Sequence, residues 1–398
     1  MKFNKIELTS FAFSLCTSVD LLSFMGLRVS LIPMVIYGVA LIIKNKSIDK
    51  NIFFVLVFFL CCAPSVMFSY AFGKSAGYLI WIIFNFFFIS YVFKHLAQND
   101  YSATLKGLFN SYRFQIVCGA IFYFAHLQDR AHFLYYEPSY FAIALIPYVV
   151  IVLCNFFQKE NKIQIPKAQF FDIFLCIVAI YTTKSANLLL VFLIGTCVIS
   201  LHGKNKMLKI SISLLIMFIG FVGLYFYAKT NNDLIAITFR NVFMSGDVLD
   251  GLKDRVGNRW YRVEMAYHVA LEHFWGVGIG AYTEYTLSNK SAYPFYNSLP
   301  WYLNPFGLPA INLYVEMAAT CGWMALIIWL IWHHRLLFAN EAVLFKGTVI
   351  YFSLLISMIV LIIESSFMRP YYWVLIGICM SHNRFTFKRI FNNENPLK

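Results

Sequence analysis

Arginines at helical spacing are the strongest candidates for chemistry in this chain. Arg255, Arg259 and Arg262 follow one another within a polar segment, 229–309. Positions i, i+4 and i+7 share one side of a helix, and guanidinium groups bind phosphate oxygens in bidentate fashion while staying charged at physiological pH. The pattern predicts recognition of a diphosphate. A solvated face that pairs with nearby carboxylates is the alternative.

A helix that would carry these arginines is predicted from Asn258 to Phe274. Its apolar residues recur every three or four positions, and Gly276 follows as a stop signal. We expect the apolar stripe to bury itself against the rest of the protein and to turn the guanidinium groups sideways. The stripe comprises Trp260, Val263, Tyr267, Ala270 and Phe274.

Other charged side chains lie at the predicted ends of apolar segments. Glu137 with Pro138 opens one segment, where the helix dipole favours an acid, so a purely structural role is a full alternative. Lys184 falls in a tight turn and Arg369 ends another segment. Both are candidates for anion binding, as is Arg113, which lies inside a segment where ionisable residues are functional suspects.

Further titratable groups suit proton transfer. His268 and His273 on the predicted helix are candidates for proton transfer, although such histidines are more often plain surface residues. Asp20 and Glu316 lie within apolar segments. We expect each to pair with a cation or to face a cavity, and a proton path through them would favour a transporter.

The glycine-rich stretch Gly276-Val-Gly-Ile-Gly280 fits neither common nucleotide-binding pattern, so we exclude a nucleotide and predict a tight turn. An aromatic run follows it. Aromatic faces are good platforms for sugar rings, and they are equally natural at a membrane interface. Both interpretations stay open for Tyr282, Tyr285, Tyr293, Phe295, Tyr296, Trp301 and Tyr302.

The composition identifies the setting in which these residues work. Charged residues make up 13% of the chain and hydrophobic residues 60%, with a mean hydropathy of +0.67. A soluble protein carries roughly 25% charged residues, so the chain is predicted to be an integral membrane protein. The net charge of +13 sits at segment ends, which argues against nucleic acid. The nine cysteines lie in apolar segments without metal spacing, so no metal site is predicted.

We predict an all-α membrane protein with about twelve spans. Lys and Arg concentrate in alternate short loops, which by the positive-inside rule places both termini in the cytoplasm and the large segment outside. The predicted parts are helices 1–9 in 1–228, a large, partly helical external loop in 229–309, helices 10–12 in 310–382 and a basic tail in 383–398. The spans are 8–26, 28–43, 51–72, 75–96, 105–126, 138–157, 169–182, 185–202, 208–228, 310–332, 346–365 and 368–382.

Three stretches carry a resemblance. They are Glu137-Pro-Ser-Tyr-Phe-Ala142, the arginine helix from Arg259 through His273 to Gly280, and Ile311-Asn-Leu-Tyr-Val-Glu316 with Cys321-Gly322; Thr183-Lys-Ser185 is a weaker match. Their order resembles the O-antigen polymerases and the related O-antigen ligases of bacterial polysaccharide assembly. Ligases usually carry His where Ile311 stands, so the resemblance favours a polymerase.

The resemblance implies a membrane-embedded, metal-independent, inverting glycosyltransferase without a cofactor. The donor is a glycan on undecaprenyl diphosphate, and the acceptor is a hydroxyl of the next lipid-linked repeat unit. Arg259 and Arg262 would bind the diphosphate, backed by Arg255, Arg113, Lys184 and Arg369. Glu137 would act as base or positioning group, with His268 and His273 as alternates, and Tyr282, Tyr296 and Trp301 would bind sugar.

The resemblance also implies a multi-pass protein of the bacterial inner membrane, with a periplasmic loop and with a chain-length regulator and a flippase as partners. Two other functions stay open. One is ligation of finished glycan to lipid A-core. The other is a flippase for lipid-linked units, which Asp20, Arg113 and Glu316 would serve.

Overall fold

A computed structural model of the chain describes residues 4–20, 23–24, 27–45, 49–157, 166–202, 205–232, 234–244, 256–338, 349–365 and 367–393. Arg255, one of the three predicted arginines, lies outside the described residues, and so does the end of the predicted basic tail.

Helices dominate the first half of the chain. A two-residue antiparallel hairpin, β1 (Ser23–Phe24) and β2 (Leu27–Arg28), interrupts them between the first two. The helices are α1 (Lys5–Thr17), α2 (Ile32–Asn45), α3 (Ile52–Met67), α4 (Phe72–Asn85), α5 (Tyr91–Asn99), α6 (Tyr101–Phe124), α7 (Pro138–Ala144), α8 (Ile146–Phe157), α9 (Phe170–Thr183) and α10 (Ala186–Ser200).

The second half continues the helical pattern. Its helices are α11 (Lys206–Thr230), α12 (Leu234–Phe243), α13 (Asn258–Glu272), α14 (Tyr282–Ser288), α15 (Pro294–Asn297), α16 (Leu313–Cys321), α17 (Trp323–Phe338), α18 (Val349–Val360) and α19 (Pro370–Asn393). Short 3-10 turns at Val29–Leu31 and Lys290–Ala292 and a π-helical turn at Phe86–Ser90 complete the described elements.

Every predicted span overlaps a helix of the structure, but the count of twelve stays a prediction. In the described part, Phe72–Asn99 and Lys206–Thr230 are long and apolar enough to cross a membrane. The pair Pro138–Ala144 and Ile146–Phe157, bent by 41°, would add a third as one broken span. The shorter apolar helices have 10–17 residues.

The first predicted span, 8–26, ends sooner than expected. Helix α1 stops at Thr17, and the chain then leaves the helix for the β1–β2 hairpin. This departure puts Asp20 beside Arg28, and their carboxylate and guanidinium groups form an ion pair of 2.6 Å. The apolar run alone did not locate the end of the helix, because it contains no sign that Asp20 pairs with Arg28.

Helices α7 and α8 occupy the centre of the core. Nearly all of their residues from Phe141 to Cys154 are buried. At the other extreme, α11 contacts little besides α10 and α12 and exposes a long series of apolar side chains, as a lipid-facing helix would.

Helix α13, which carries the arginines, packs on α16 with a face that coincides only in part with the predicted stripe, at Ala270. Trp260, Tyr267 and Phe274 of the predicted stripe are about half exposed. The buried residues are Met265, Ala266, Val269 and Ala270. Small side chains let two helices approach closely, and this preference outweighs the bulk of the aromatic stripe.

The glycine-rich stretch forms the predicted tight turn. The backbone N–H groups of Val277 and Gly278 donate to the carbonyls of Ala319 and Thr320, at 2.9 and 3.0 Å. Gly278 has a φ of +111°, and a Cβ there would collide with the side chain of Ser69. The turn therefore joins the end of α13 to α16 and to the α3–α4 connection.

Candidate active site

A group of charged side chains gathers where several helices of the core begin or end. We name it the charged cluster and define it by its cations, Arg28, Arg259, Arg262 and Arg369, and its carboxylates, Asp20, Glu137, Glu316 and Glu364. Each member interacts electrostatically with at least one other. Residues more than 300 positions apart in the chain meet here, as the ion pair of Asp20 with Arg369 demonstrates.

Asp20 holds one side of the cluster. Its carboxylate forms ion pairs with Arg28 at 2.6 Å and with Arg369 at 3.1 Å, and 4% of its side chain is exposed. The Arg369 guanidinium carbon also lies 3.4 Å from the ring centroid of Tyr140, a cation–π contact. Asp20 thus pairs with cations, as expected from its place in an apolar segment.

Arg262 belongs to the cluster through its interactions with Arg259, Glu316 and Glu364. Its guanidinium donates to the carbonyl of Pro309 from Nε at 2.7 Å and from a terminal nitrogen. Burial lowers the pKa of Arg262, and the neighbouring Arg259 lowers it further, whereas Glu316 acts in the opposite direction. This partly buried guanidinium is thereby fixed beside the start of α16.

Arg259 is exposed one turn before Arg262 on α13. It interacts electrostatically with Arg262 and with Glu364. The two guanidinium groups interact with each other, and no carboxylate of the described residues forms an ion pair with either, so together they can receive an anion such as a phosphate.

Glu137 lies at the predicted helix start. It is the N-cap residue of α7, with Pro138 in the first turn, and its side chain is exposed. The carboxylate accepts a hydrogen bond of 3.1 Å from the Ser139 hydroxyl. Electrostatic interactions with Glu364 and Tyr140 bring it within the charged cluster.

Glu316 lies under the arginines in the first turn of α16. It interacts electrostatically with Arg262 and with Lys74, and its side chain also contacts that of Ser365. One of its carboxylate oxygens, Oε2, is buried without a hydrogen-bond partner. A buried carboxylate oxygen of this kind is costly unless a cation or a hydrogen-bond donor is close, which the arginines of the cluster provide.

Two of the predicted cations lie elsewhere. Arg113 forms a bidentate ion pair with Asp172, with distances of 2.6 and 2.7 Å, and Tyr148 donates to the same carboxylate at 2.9 Å. Lys184 is exposed in a left-handed turn, with its ammonium group 5.2 Å from the ring centroid of Tyr123. Neither is among the residues that interact with the charged cluster, so we leave both out of the proposed diphosphate site.

The two histidines also lie outside the cluster. The Nε2 atom of His273 is 2.7 Å from the hydroxyl of Tyr285, which continues to Tyr293 and then to the carboxylate of Glu272. This chain of hydrogen bonds ties α13 to α14 and to the turn before α15. His268 is exposed on α13, with its ring 6.2 Å from that of Tyr296.

The three predicted sugar-binding aromatics differ in exposure. Tyr282 is buried under α13, where its hydroxyl donates to the Arg262 carbonyl at 3.5 Å, and burial raises its pKa well above the ordinary value. Tyr296 is also buried, and burial together with Glu264 raises its pKa. Trp301 is 88% exposed. Trp301 alone of the three offers a free ring face.

Sequence reasoning missed Glu364, Asn187 and the role of Arg28. Glu364 follows α18, and its Oε2 accepts a hydrogen bond of 3.1 Å from the Asn187 amide in the first turn of α10. One sequence signal could have identified Glu364. It is an acidic residue close to the end of an apolar segment, five residues before Arg369. No group of three or more His, Cys, Asp or Glu side chains that could hold a metal ion occurs in the described ranges.

The chain resembles known proteins at the level of one domain. Residues 171–330 match a family described as O-antigen ligase. The matched segment includes Arg259, Arg262 and Glu316, whereas Glu137, Glu364 and Arg369 lie outside it. No curated protein matches the chain.

Members of that family are glycosyltransferase-like enzymes of polysaccharide assembly, and together with the apolar helices the match indicates a membrane protein. The resemblance indicated by the sequence motifs is therefore confirmed over this part of the chain: residues 171–330 match the O-antigen ligase family model, which is consistent with the O-antigen polymerase/ligase family.

Proposed function

We propose that the protein polymerises undecaprenyl-diphosphate-linked oligosaccharide units into O-antigen or a related surface polysaccharide. The reaction is an inverting glycosyl transfer that needs no metal or other cofactor. The observation that carries the proposal is the charged cluster, in which Arg259 and Arg262 lie together with carboxylates from distant parts of the chain. The O-antigen ligase domain supports the same class of reaction.

The leaving group gives the arginines their role. An acceptor hydroxyl attacks the anomeric carbon of the donor, the new glycosidic bond forms, and the bond to the lipid diphosphate breaks with its electron pair on the phosphate oxygen. Arg259 and Arg262 stabilise the negative charge that develops on that oxygen. Arg369, held by Asp20, adds positive charge from the other side of the cluster.

The choice of polymerase over ligase rests on the start of α16. Asn312 caps this helix by accepting hydrogen bonds from the backbone N–H groups of Tyr314 and Val315, and the residue before it is Ile311. The resemblance assigns a His to that position in ligases. An apolar side chain there cannot transfer a proton.

The same proposal includes the membrane arrangement. The protein spans the bacterial inner membrane about twelve times, with both termini in the cytoplasm and the loop 229–309 in the periplasm. The lipid carrier then enters from the bilayer with its diphosphate at the level of the charged cluster. A chain-length regulator and a flippase would act beside it.

The test is a deletion strain examined for its surface polysaccharide and its carrier-lipid intermediates. Loss of long chains, with single repeat units still reaching lipid A-core, is the expected result. Long chains that accumulate on carrier lipid, with bare core, would replace the proposal by ligation. Single units trapped on the cytoplasmic face would replace it by a flippase.

Complementation with variants then tests the site. Arg259→Ala and Arg262→Ala, confirmed to be inserted in the membrane, should each fail to restore long chains. Arg335→Ala is the matched control, because Arg335 lies in the last turn of α17 against the ring of Phe54 and outside the charged cluster. Full-length polymer from both cluster variants would refute the assignment.

A further inference from the structure

We propose that Glu364 is the general base of the reaction, the group that takes the proton from the acceptor hydroxyl. This inference rests on the glycosyl transfer proposed above. It assigns to a residue outside the matched domain a role that the sequence motifs gave to Glu137.

The first support is the way in which Glu364 is held. It lies just beyond the C-terminal end of α18, and its side chain is half-buried. The Asn187 amide donates to Oε2 at 3.1 Å, which fixes the carboxylate and leaves Oε1 for another donor. A base acts efficiently only when it is oriented towards the proton that it removes.

The second support is the set of charges that face this carboxylate. Arg259 of α13 and Arg369, which precedes α19, interact with it favourably, while Glu137 at the start of α7 interacts unfavourably. Arg262 of α13 also interacts with it. Glu364 thus interacts both with the arginines that the proposed function assigns to the diphosphate and with the arginine held by Asp20.

The backbone fixes this position further. The N–H group of Leu313 at the start of α16 donates to the carbonyl of Leu361 at 2.9 Å, so the segment with Glu364 is tied to the helix that carries Glu316. The segment that carries the proposed base is thus hydrogen-bonded to the helix whose Glu316 interacts with Arg262.

The other candidates are less well arranged. Glu137 is exposed, and its carboxylate accepts from Ser139 of its own helix, a common use of an acid at a helix start. His273 is engaged with the hydroxyl of Tyr285, and His268 lies on the exposed surface of α13.

The proton balance of the step is simple. The hydroxyl oxygen forms the bond to the anomeric carbon, its proton passes to Oε1 of Glu364, and the carbon–oxygen bond to the diphosphate breaks. The protonated carboxyl group then releases its proton to water. No further reactant is needed.

The test compares single variants in membrane vesicles that contain the full-length protein and supply lipid-linked repeat units. Glu364→Gln should lower the rate of chain elongation by about 10²–10⁴-fold, the usual contribution of a general base. Glu364→Asp should recover part of this rate. Glu284→Gln is the control, because Glu284 pairs with Lys74 instead of the charged cluster.

A second readout separates catalysis from folding. Glu364→Gln should still crosslink to a photoreactive lipid-linked substrate. The wild type is expected to lose elongation activity at acidic pH, as its base becomes protonated, and this pH dependence should be absent from the residual activity of Glu364→Gln. A Glu364→Gln rate within tenfold of the wild type would overturn the assignment and leave the polymerase proposal intact. No elongation by the wild type itself would instead remove the proposed function and this inference with it.

Discussion

At the scale of single residues, the shape of a guanidinium group matters as much as its charge. Arg262 uses two of its nitrogens on the carbonyl of Pro309, and Arg259 remains exposed beside it. A lysine supplies the same charge as a single point and loses the forked geometry that fits phosphate oxygens. Charge and geometry can therefore be separated by conservative variants.

We predict that Arg259→Lys keeps part of the elongation activity and that Arg259→Ala loses nearly all of it. The Lys variant supplies charge to the leaving diphosphate without the bidentate contact. Elongation rates in membrane vesicles measure the difference. Equal rates for the Lys and Ala variants would mean that charge alone has no role at this position.

A different outcome is predicted for Arg113. Asp172 is fully buried and depends on Arg113 for its ion pair, so Arg113→Ala leaves a buried carboxylate without its cation. Breaking a buried pair on one side costs about 3–5 kcal/mol. Thermal unfolding of the detergent-solubilised protein should show this loss.

The double variant Arg113→Leu with Asp172→Asn is the control for that measurement. It should be less destabilised than Arg113→Ala alone, because no unpaired charge remains. A stable Arg113→Ala protein with abolished elongation would return Arg113 to the substrate site.

At the scale of elements, the turn after α13 fixes this helix, and with it Arg259 and Arg262, relative to α16. Gly276, Gly278 and Gly280 all have positive φ, and a Cβ at Gly276 would meet the backbone of Thr320. The end of α13 is thus tied closely to α16. The position of the guanidinium groups depends on this contact as well as on the helix itself.

Gly278→Ala is accordingly expected to disturb the site. The substitution forces an L side chain into a positive φ and against Ser69, at a cost of about 1–3 kcal/mol or more. Loss of long chains at normal membrane insertion is the expected result. The matched control is Gly223→Ala on α11, where a Cβ meets nothing within 4 Å. An active Gly278→Ala protein would show that the turn is more tolerant than its geometry suggests.

The elements also show what sequence patterns can and cannot predict. Apolar runs located the helices, but α13 ends at Glu272, two residues before the predicted end at Phe274 and four before the stop signal Gly276. The pattern predicted the buried face only in part. Ala270 is buried as expected, but Trp260 and Tyr267 are half exposed and Ala266 is buried, because close packing on α16 favours small side chains. Helix α16 ends at Cys321, and α17 begins after Gly322, a break that a continuous apolar run conceals.

Only part of the candidate site was predicted, because sequence patterns report neighbours along one helix and not contacts between distant helices. Spacing along one helix can place Arg259 beside Arg262, and that neighbourhood is present in the structure. No spacing rule connects Asp20 to Arg369 or Asn187 to Glu364, since these pairs form only when distant helices pack. Arg113 appeared functional because its partner, Asp172, lies 59 residues further along the chain.

At the scale of the whole molecule, the proposed orientation has a direct test. Native cysteines are first replaced, and single cysteines are then introduced at Ser288 in the external loop and at Asn205 before α11. Ser288→Cys should react with a membrane-impermeant maleimide in intact spheroplasts, and Asn205→Cys should react only after permeabilisation. The reverse pattern would invert the proposed topology and place the charged cluster at the cytoplasmic face.

The balance of charge within the cluster has a final consequence. Its four arginines are matched in number by four carboxylates, and Lys74 adds one further positive charge near Glu316, so the net charge of the site before any substrate binds is small. Under the proposed function, an incoming diphosphate would compete with Glu364 and Glu316 for the electrostatic attraction of Arg259 and Arg262. The same two carboxylates would favour release of the lipid diphosphate after the transfer, so the site need not hold its product tightly.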